Sequence, residues 1–131
     1  MAMNKETFFE YMLLDTPFAT SYWAYAEDLE FIEGDETSDM QVKRFAIREA
    51  GDFEPSGPVI EITEQTLEEG FDKAVEFFRK RGEERSNKYR WEDCVRYAGA
   101  KAMGDYDMAT YDAEMIDIVV QLALFDEIRY A

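Results

Sequence analysis

The sequence predicts an α+β fold, a three-stranded antiparallel meander packed against about three to four helices, on three observations. An aromatic-rich run beginning at Tyr22 alternates at period two. Two further short apolar runs follow it across polar turn segments. Later segments repeat their apolar residues at helical spacing. At 131 residues the chain has room for one packed core, so residues 1–131 read as a single domain.

Taken in order, Phe8, Phe9, Tyr11, Met12, Leu13 and Leu14 suit a short helix with Glu6 in its first turn, which Pro17 interrupts or closely follows. Trp23, Tyr25, Leu29 and Phe31 then fall at alternate positions, with Glu27 breaking the stripe, as in a strand with one face on a core. The polar stretch Glu33 to Asp39 is a turn, and Phe45 and Ile47 resume the alternation within Gln41 to Glu49, which makes a hairpin. A second turn at Gly51 to Pro58 leads to the strand Val59-Ile60-Glu61-Ile62, and a meander is the simplest way to join the three.

Helical spacing follows. Thr63 is a good N-cap, and Leu67, Phe71, Ala74, Val75 and Phe78 repeat until Gly82. Gly70 inside that repeat costs about 1 kcal/mol relative to alanine unless a close neighbour requires it. A third helix starts near Trp91, turns Cys94, Val95, Ala98 and Ala102 inward, and stops about Gly104. The fourth follows Asp112. Its segment Ile118 to Phe125 is apolar except for Gln121, so it reads as the central helix. The connection from Glu83 to Arg90 is polar.

Thirty Asp and Glu against 14 Lys and Arg give a net charge of -16. With 47% hydrophobic residues the chain still folds, but its charge repels phosphate backbones and anionic lipids, which argues against direct nucleic-acid or membrane binding. The absence of His removes Ser-His-Asp and Cys-His catalysis and the usual His-containing zinc sites. Cys94 is alone, which fits a reducing compartment. The N-terminus lacks the apolar stretch of a signal peptide, and no window reaches about 20 apolar residues, so the expected location is cytoplasmic.

The acidity is localised. Residues 1–42 carry a net -9, residues 43–101 only -1, and residues 102–131 -6. Seven carboxylates, Glu27, Asp28, Glu30, Glu33, Asp35, Glu36 and Asp39, fall within 13 residues. Folded into a hairpin they give about one charge per 3 Å, approaching half the linear density of duplex DNA. That surface is the expected contact for a basic partner. Pairing of Glu30 with Lys43 or Arg44 across the hairpin would neutralise part of it. The opposite pole is Arg79-Lys80-Arg81 with Arg85, Lys88 and Arg90. It complements a helix C-terminus and also admits head-to-tail association into a homo-oligomer.

A second candidate site is a pocket between sheet and helices. Trp23 and Tyr25 would offer aromatic faces, and Glu114, Asp117 and Gln121, at i, i+3 and i+7, form one polar stripe on the fourth helix. Facing a cavity, that stripe would hold a cation or polar ligand; facing water, it is the outside of an amphipathic helix. Neither a metal-ligand spacing nor a phosphate-binding loop nor a nucleophile motif is present, and no cofactor is expected.

The stretch Asp112 to Glu127, DAEMIDIVVQLALFDE, resembles the endings of small uncharacterised acidic proteins encoded by tailed bacteriophages, and Tyr22-Trp23-Ala24 resembles their early aromatic segment. Those proteins commonly place glycine before the aromatic pair, where this chain has Thr20-Ser21. The resemblance implies a phage origin and supplies no site residues. Together with the charge pattern, it leads to the expectation of a non-enzymatic protein that binds and inhibits a basic host protein, one that itself binds nucleic acid. The alternatives are a ligand-binding or enzymatic domain built on the pocket, and a homo-oligomeric structural phage component.

Overall fold

In a computed structural model of the chain, the backbone is described for residues 3–33, 40–50, 55–81 and 88–130, and the side chains for 3–24, 60–81 and 89–130. Helix α1 (Lys5–Ala19) starts where the Asn4 side chain accepts the Thr7 N–H at 2.8 Å. It buries Phe8, Phe9, Met12, Leu13, Thr16 and Ala19. It also runs through Pro17, against the expected break. Burying four large apolar side chains at about 2 kcal/mol each outweighs the roughly 3 kcal/mol a proline costs inside a helix. Only the last turn is affected, and there the Thr16 and Thr20 hydroxyls donate back to the Met12 and Thr16 carbonyls at 2.8 and 3.0 Å.

Strands β1 (Ala24–Glu33), β2 (Met40–Ala50) and β3 (Pro55–Thr63) pair antiparallel in the order β1-β2-β3. Glu30 stands opposite Arg44, and Phe45 and Ile47 stand opposite Ile62 and Ile60. Of the expected turns, Glu33 to Asp39 and Gly51 to Pro58, residues 34–39 and 51–54 lie outside the described residues, while Glu33 belongs to β1 and β3 starts at Pro55, ahead of the expected Val59.

Helix α2 (Glu64–Arg81) is capped by an exchange between Thr63 and Thr66: each hydroxyl accepts the other residue's backbone N–H, at 3.4 and 3.1 Å. Helix α3 (Lys88–Met103) begins three residues before the expected Trp91 and ends at Gly104, whose φ of +71° is the left-handed conformation that terminates helices. Helix α4 (Ala113–Phe125) is capped by Asp112, which accepts the Met115 N–H at 2.9 Å, and it buries every residue from Met115 to Leu122.

The expected α+β class, a three-stranded antiparallel meander packed against about three to four helices, is corrected to a mostly helical one. The packed part is mostly helical. Four helices of 15, 18, 16 and 13 residues build the described core, which Ala24 of β1 and Ile62 of β3 join. The reason lies in the patterns. An alternating strand offers one face at most to a core, whereas α4 is apolar nearly all round and is held by both α1 and α2. Phe71 and Tyr97 stack at 4.1 Å between ring centres, and Phe8 meets Phe9 and Tyr106 at 5.0 and 5.2 Å, joining α1, α2, α3 and the segment after α3. The Tyr97 hydroxyl leaves this aromatic cluster to donate to Asp72 at 3.0 Å, where Lys101 also donates at 2.9 Å.

Arg90 links the α3 start to the α4 cap, donating to both Asp112 oxygens at 2.5 and 2.9 Å. This hydrogen-bonded guanidinium holds the Asp112 carboxyl below its ordinary value, with the Met115 N–H adding to the effect. A carboxyl whose pKa is lower folded than unfolded contributes stability above the unfolded value, about 3.9, and loses it as pH falls through the folded value. Arg90→Gln is therefore expected to lower the melting temperature at neutral pH. The gap to the parent chain should narrow below about pH 4. Thermal melts of both proteins across the acid range check this; a gap independent of pH would remove the assigned role of the pair.

Candidate functional site

Three of the five pocket residues expected from sequence do come together, but around each other rather than around a cavity. Trp23, just before β1, and Asp117 and Gln121, one turn apart on α4, are all buried, at 2, 7 and 0% exposure. The Trp23 indole N–H donates to Asp117 Oδ1 at 2.6 Å, Gln121 Nε2 donates to the same oxygen at 3.1 Å, and the Tyr22 hydroxyl donates to Oδ2. Burial and then the Asp117 carboxylate push the Tyr22 hydroxyl up to about 12.

Gln121 is saturated. Its Nε2 also donates to the Tyr130 carbonyl at 3.0 Å, and its Oε1 accepts the backbone N–H groups of Arg129 and Tyr130 at 2.7 and 2.8 Å. The neighbours fix the amide orientation, because a flipped amide would set N–H against the Arg129 and Tyr130 N–H groups at one end and oxygen against the Asp117 and Tyr130 oxygens at the other. The C-terminal segment is thereby tied down, and the Tyr130 ring stacks on Trp23 at 5.0 Å with 5° between planes.

The stripe is thus neither a cavity wall nor a solvated face: Asp117 and Gln121 are interior, and Glu114 is exposed in the first turn of α4. The side chain of Tyr25 lies outside those described. Sequence reasoning missed Tyr22, as the third donor to Asp117, and Tyr130. The one available signal was the i, i+4 spacing of Asp117 and Gln121 next to an aromatic segment that needs an acceptor.

Of the acidic candidates, Glu27, Asp28, Glu30 and Glu33 are carried on β1, an edge strand of the sheet, with side chains outside those described. Asp35, Glu36 and Asp39 lie outside the described residues. No group of three or more potential metal ligands occurs among the described residues, and no helix described is long and apolar enough to cross a membrane.

At the basic pole, Arg79 pairs with Glu76 at 2.8 Å, while Arg81 donates to the Phe77 carbonyl and lies 4.0 Å over the Phe77 ring. These contacts suit cations at a helix C-terminus. A groove of about 440 Å³ runs beside them between α2 and α4, but it mixes Lys73, Lys80 and Arg81 with Asp72, Glu76 and Asp126. Lys73 is already paired with Asp126 at 2.7 Å.

A reactive thiol is not offered by Cys94, which is fully buried and pushed up to about 12 by burial. Asp117 is buried and accepts from Trp23, Tyr22 and Gln121, so its carboxylate is held in the interior rather than presented to a substrate. What is concentrated is negative charge, a net -9 over residues 1–42 and -6 over residues 102–131. No protein-family model, curated protein or solved structure matches this chain, so its function rests on these residues alone.

Proposed function

We propose that the chain is a non-enzymatic, phage-type interaction protein that binds a basic host protein in the cytoplasm through its acidic surfaces, and inhibits it by occupying a face that otherwise holds nucleic acid. The observation that carries this reading is the position of β1. The strand bearing Glu27, Asp28, Glu30 and Glu33 forms an edge of the sheet, with β2 its one strand neighbour among the described residues. In the β1–β2 register Glu30 stands opposite Arg44, whereas Glu27 and Glu33 stand opposite the uncharged Ala46 and Met40. A row of carboxylates along an open edge attracts a basic surface at long range and makes association fast and salt-sensitive. The closed network around Asp117 gives the ligand-binding alternative no comparable support.

Affinity capture from host lysate, with the captured protein identified and its affinity measured, tests the reading. Raising salt from about 0.05 to 0.5 M shortens the screening length severalfold and is expected to weaken binding by tenfold or more. Charge reversal at Asp28, Glu30, Glu33 and Asp35 should do the same at low salt. Binding that ignores both changes would exclude an electrostatic mechanism.

A further inference from the structure

Helix α1 is apolar on the side it buries and also on the side it shows. Tyr11, Leu14 and Phe18 recur at i, i+3 and i+7 on the outer face and are 55, 45 and 79% exposed. A helix that packs by one face ordinarily turns charged residues to water on the other, and a contiguous exposed apolar stripe marks a contact surface.

Beside Tyr11 the stripe opens into a cleft of about 150 Å³, formed with Phe8, Tyr106, Ala109 and Tyr111 and edged by Asp107. That is well below the ~300–1,000 Å³ of small-molecule sites and suits a single aliphatic side chain. Asp15 lies within the stripe, and neither it nor Asp107 has an ion-pair partner among the described residues. The field of Asp15 reaches Tyr111 across the cleft, adding to the burial that raises that hydroxyl. Lys5 is the one base among residues 1–42, and it is engaged with Glu68 at 3.3 Å; the segment after Lys101 has Arg129 alone.

We infer that the outer face of α1 and its adjoining cleft dock a cationic amphipathic segment of a partner protein, with one aliphatic side chain in the cleft and lysine or arginine side chains against Asp15 and Asp107. Charge decides the occupant. A second copy would bring another -16 to a face that is itself acidic, whereas a basic segment meets Asp107 at the rim of an apolar slot and Asp15 in the stripe beside it, neither ion-paired among the described residues. Aromatic residues such as Tyr11 and Phe18 are the side chains that dominate binding at such surfaces. This inference shares with the proposed function the need for a basic partner, but it uses a different surface.

The test uses the full chain and a synthetic amphipathic helix of leucine and lysine, with the leucine and glutamate counterpart as control. Calorimetry and chemical-shift mapping are expected to show the lysine peptide on Tyr11, Leu14, Phe18 and Tyr111, and no binding of the glutamate peptide. Tyr11→Ser/Phe18→Ser should weaken binding by about tenfold or more. Reversal at Asp28 and Glu30 should change it by less than about threefold, since those charges act only through screened long-range attraction. Equal affinity of the Tyr11→Ser/Phe18→Ser protein and the parent chain would overturn the inference. So would loss confined to the β1 reversals, which would leave the proposed function standing, or a stable dimer in sedimentation whose α1 face the peptide cannot reach. Should the double variant fail to fold, Asp15→Lys and the shift map on the parent chain decide by the same criteria.

Discussion

Gly70→Ala is expected to destabilise the fold by about 3 kcal/mol, a drop in melting temperature of roughly 10 °C for a chain of this size. The added methyl carbon would collide with the Val119 carbonyl oxygen and lie 2.9 Å from Val119 Cγ1 and 3.0 Å from Ala123 Cβ. A side chain could turn away, but the nearest atom is backbone in the middle of α4, so α2 and α4 would have to separate. Helix propensity alone predicts the opposite sign, a gain of about 1 kcal/mol, so the direction of the change discriminates between the two effects. Gly99→Ala on α3 is the matched control. Nothing lies within 4 Å of its added methyl, and it should raise stability by up to about 1 kcal/mol. Melts followed by circular dichroism compare the two variants directly. Equal stabilisation by both would mean that α2 and α4 do not approach each other at Gly70.

That glycine also shows what kind of information the sequence held. A helix breaker inside an unbroken apolar repeat signals a close approach, although it does not name Val119 as the neighbour. Caps were legible for the same local reason: Thr63 and Asp112 precede their helices and serve them through their own side chains, and Gly104 ends α3 by its backbone conformation. What depends on tertiary partners was not legible. Proline reads as an end to α1 because its cost is local, while the burial that outweighs it is supplied by other segments. Alternation identifies strands but says nothing of their share in the core. The apolar cluster from Phe8 to Leu14 likewise carries no mark of which side stays outside. As for the candidate pocket, the residues were the right ones for proximity and the wrong ones for vacancy. A carboxylate and an amide on a central helix line a cavity only if no other group fills it, and here Tyr22 and the segment at Arg129 and Tyr130 do.

The Asp117 network gives the second large effect, and two substitutions separate its charge from its hydrogen bonds. Asp117→Leu keeps the site roughly filled but removes the acceptor for the Trp23 indole, the Tyr22 hydroxyl and one Gln121 amide hydrogen. The Trp23 donor is buried and has no water to replace the carboxylate, so the expected cost is about 3 kcal/mol. Asp117→Asn should cost only about 1 kcal/mol. Its oxygen still accepts from Trp23 and Gln121, and its amide donates to Tyr22, whose hydroxyl accepts as readily as it donates. The asparagine also removes the charge that helps hold the Tyr22 hydroxyl up to about 12, so the Tyr22 titration should move down toward its ordinary value, leaving the burial contribution in place. Near-ultraviolet circular dichroism follows the Trp23 and Tyr130 stack, which Asp117→Leu should loosen through Gln121 and Asp117→Asn should keep. If both variants melt together with the parent chain, the carboxylate is not what joins the start of β1 to α4 and the C-terminal segment. The stacked rings would then have to hold that corner by themselves.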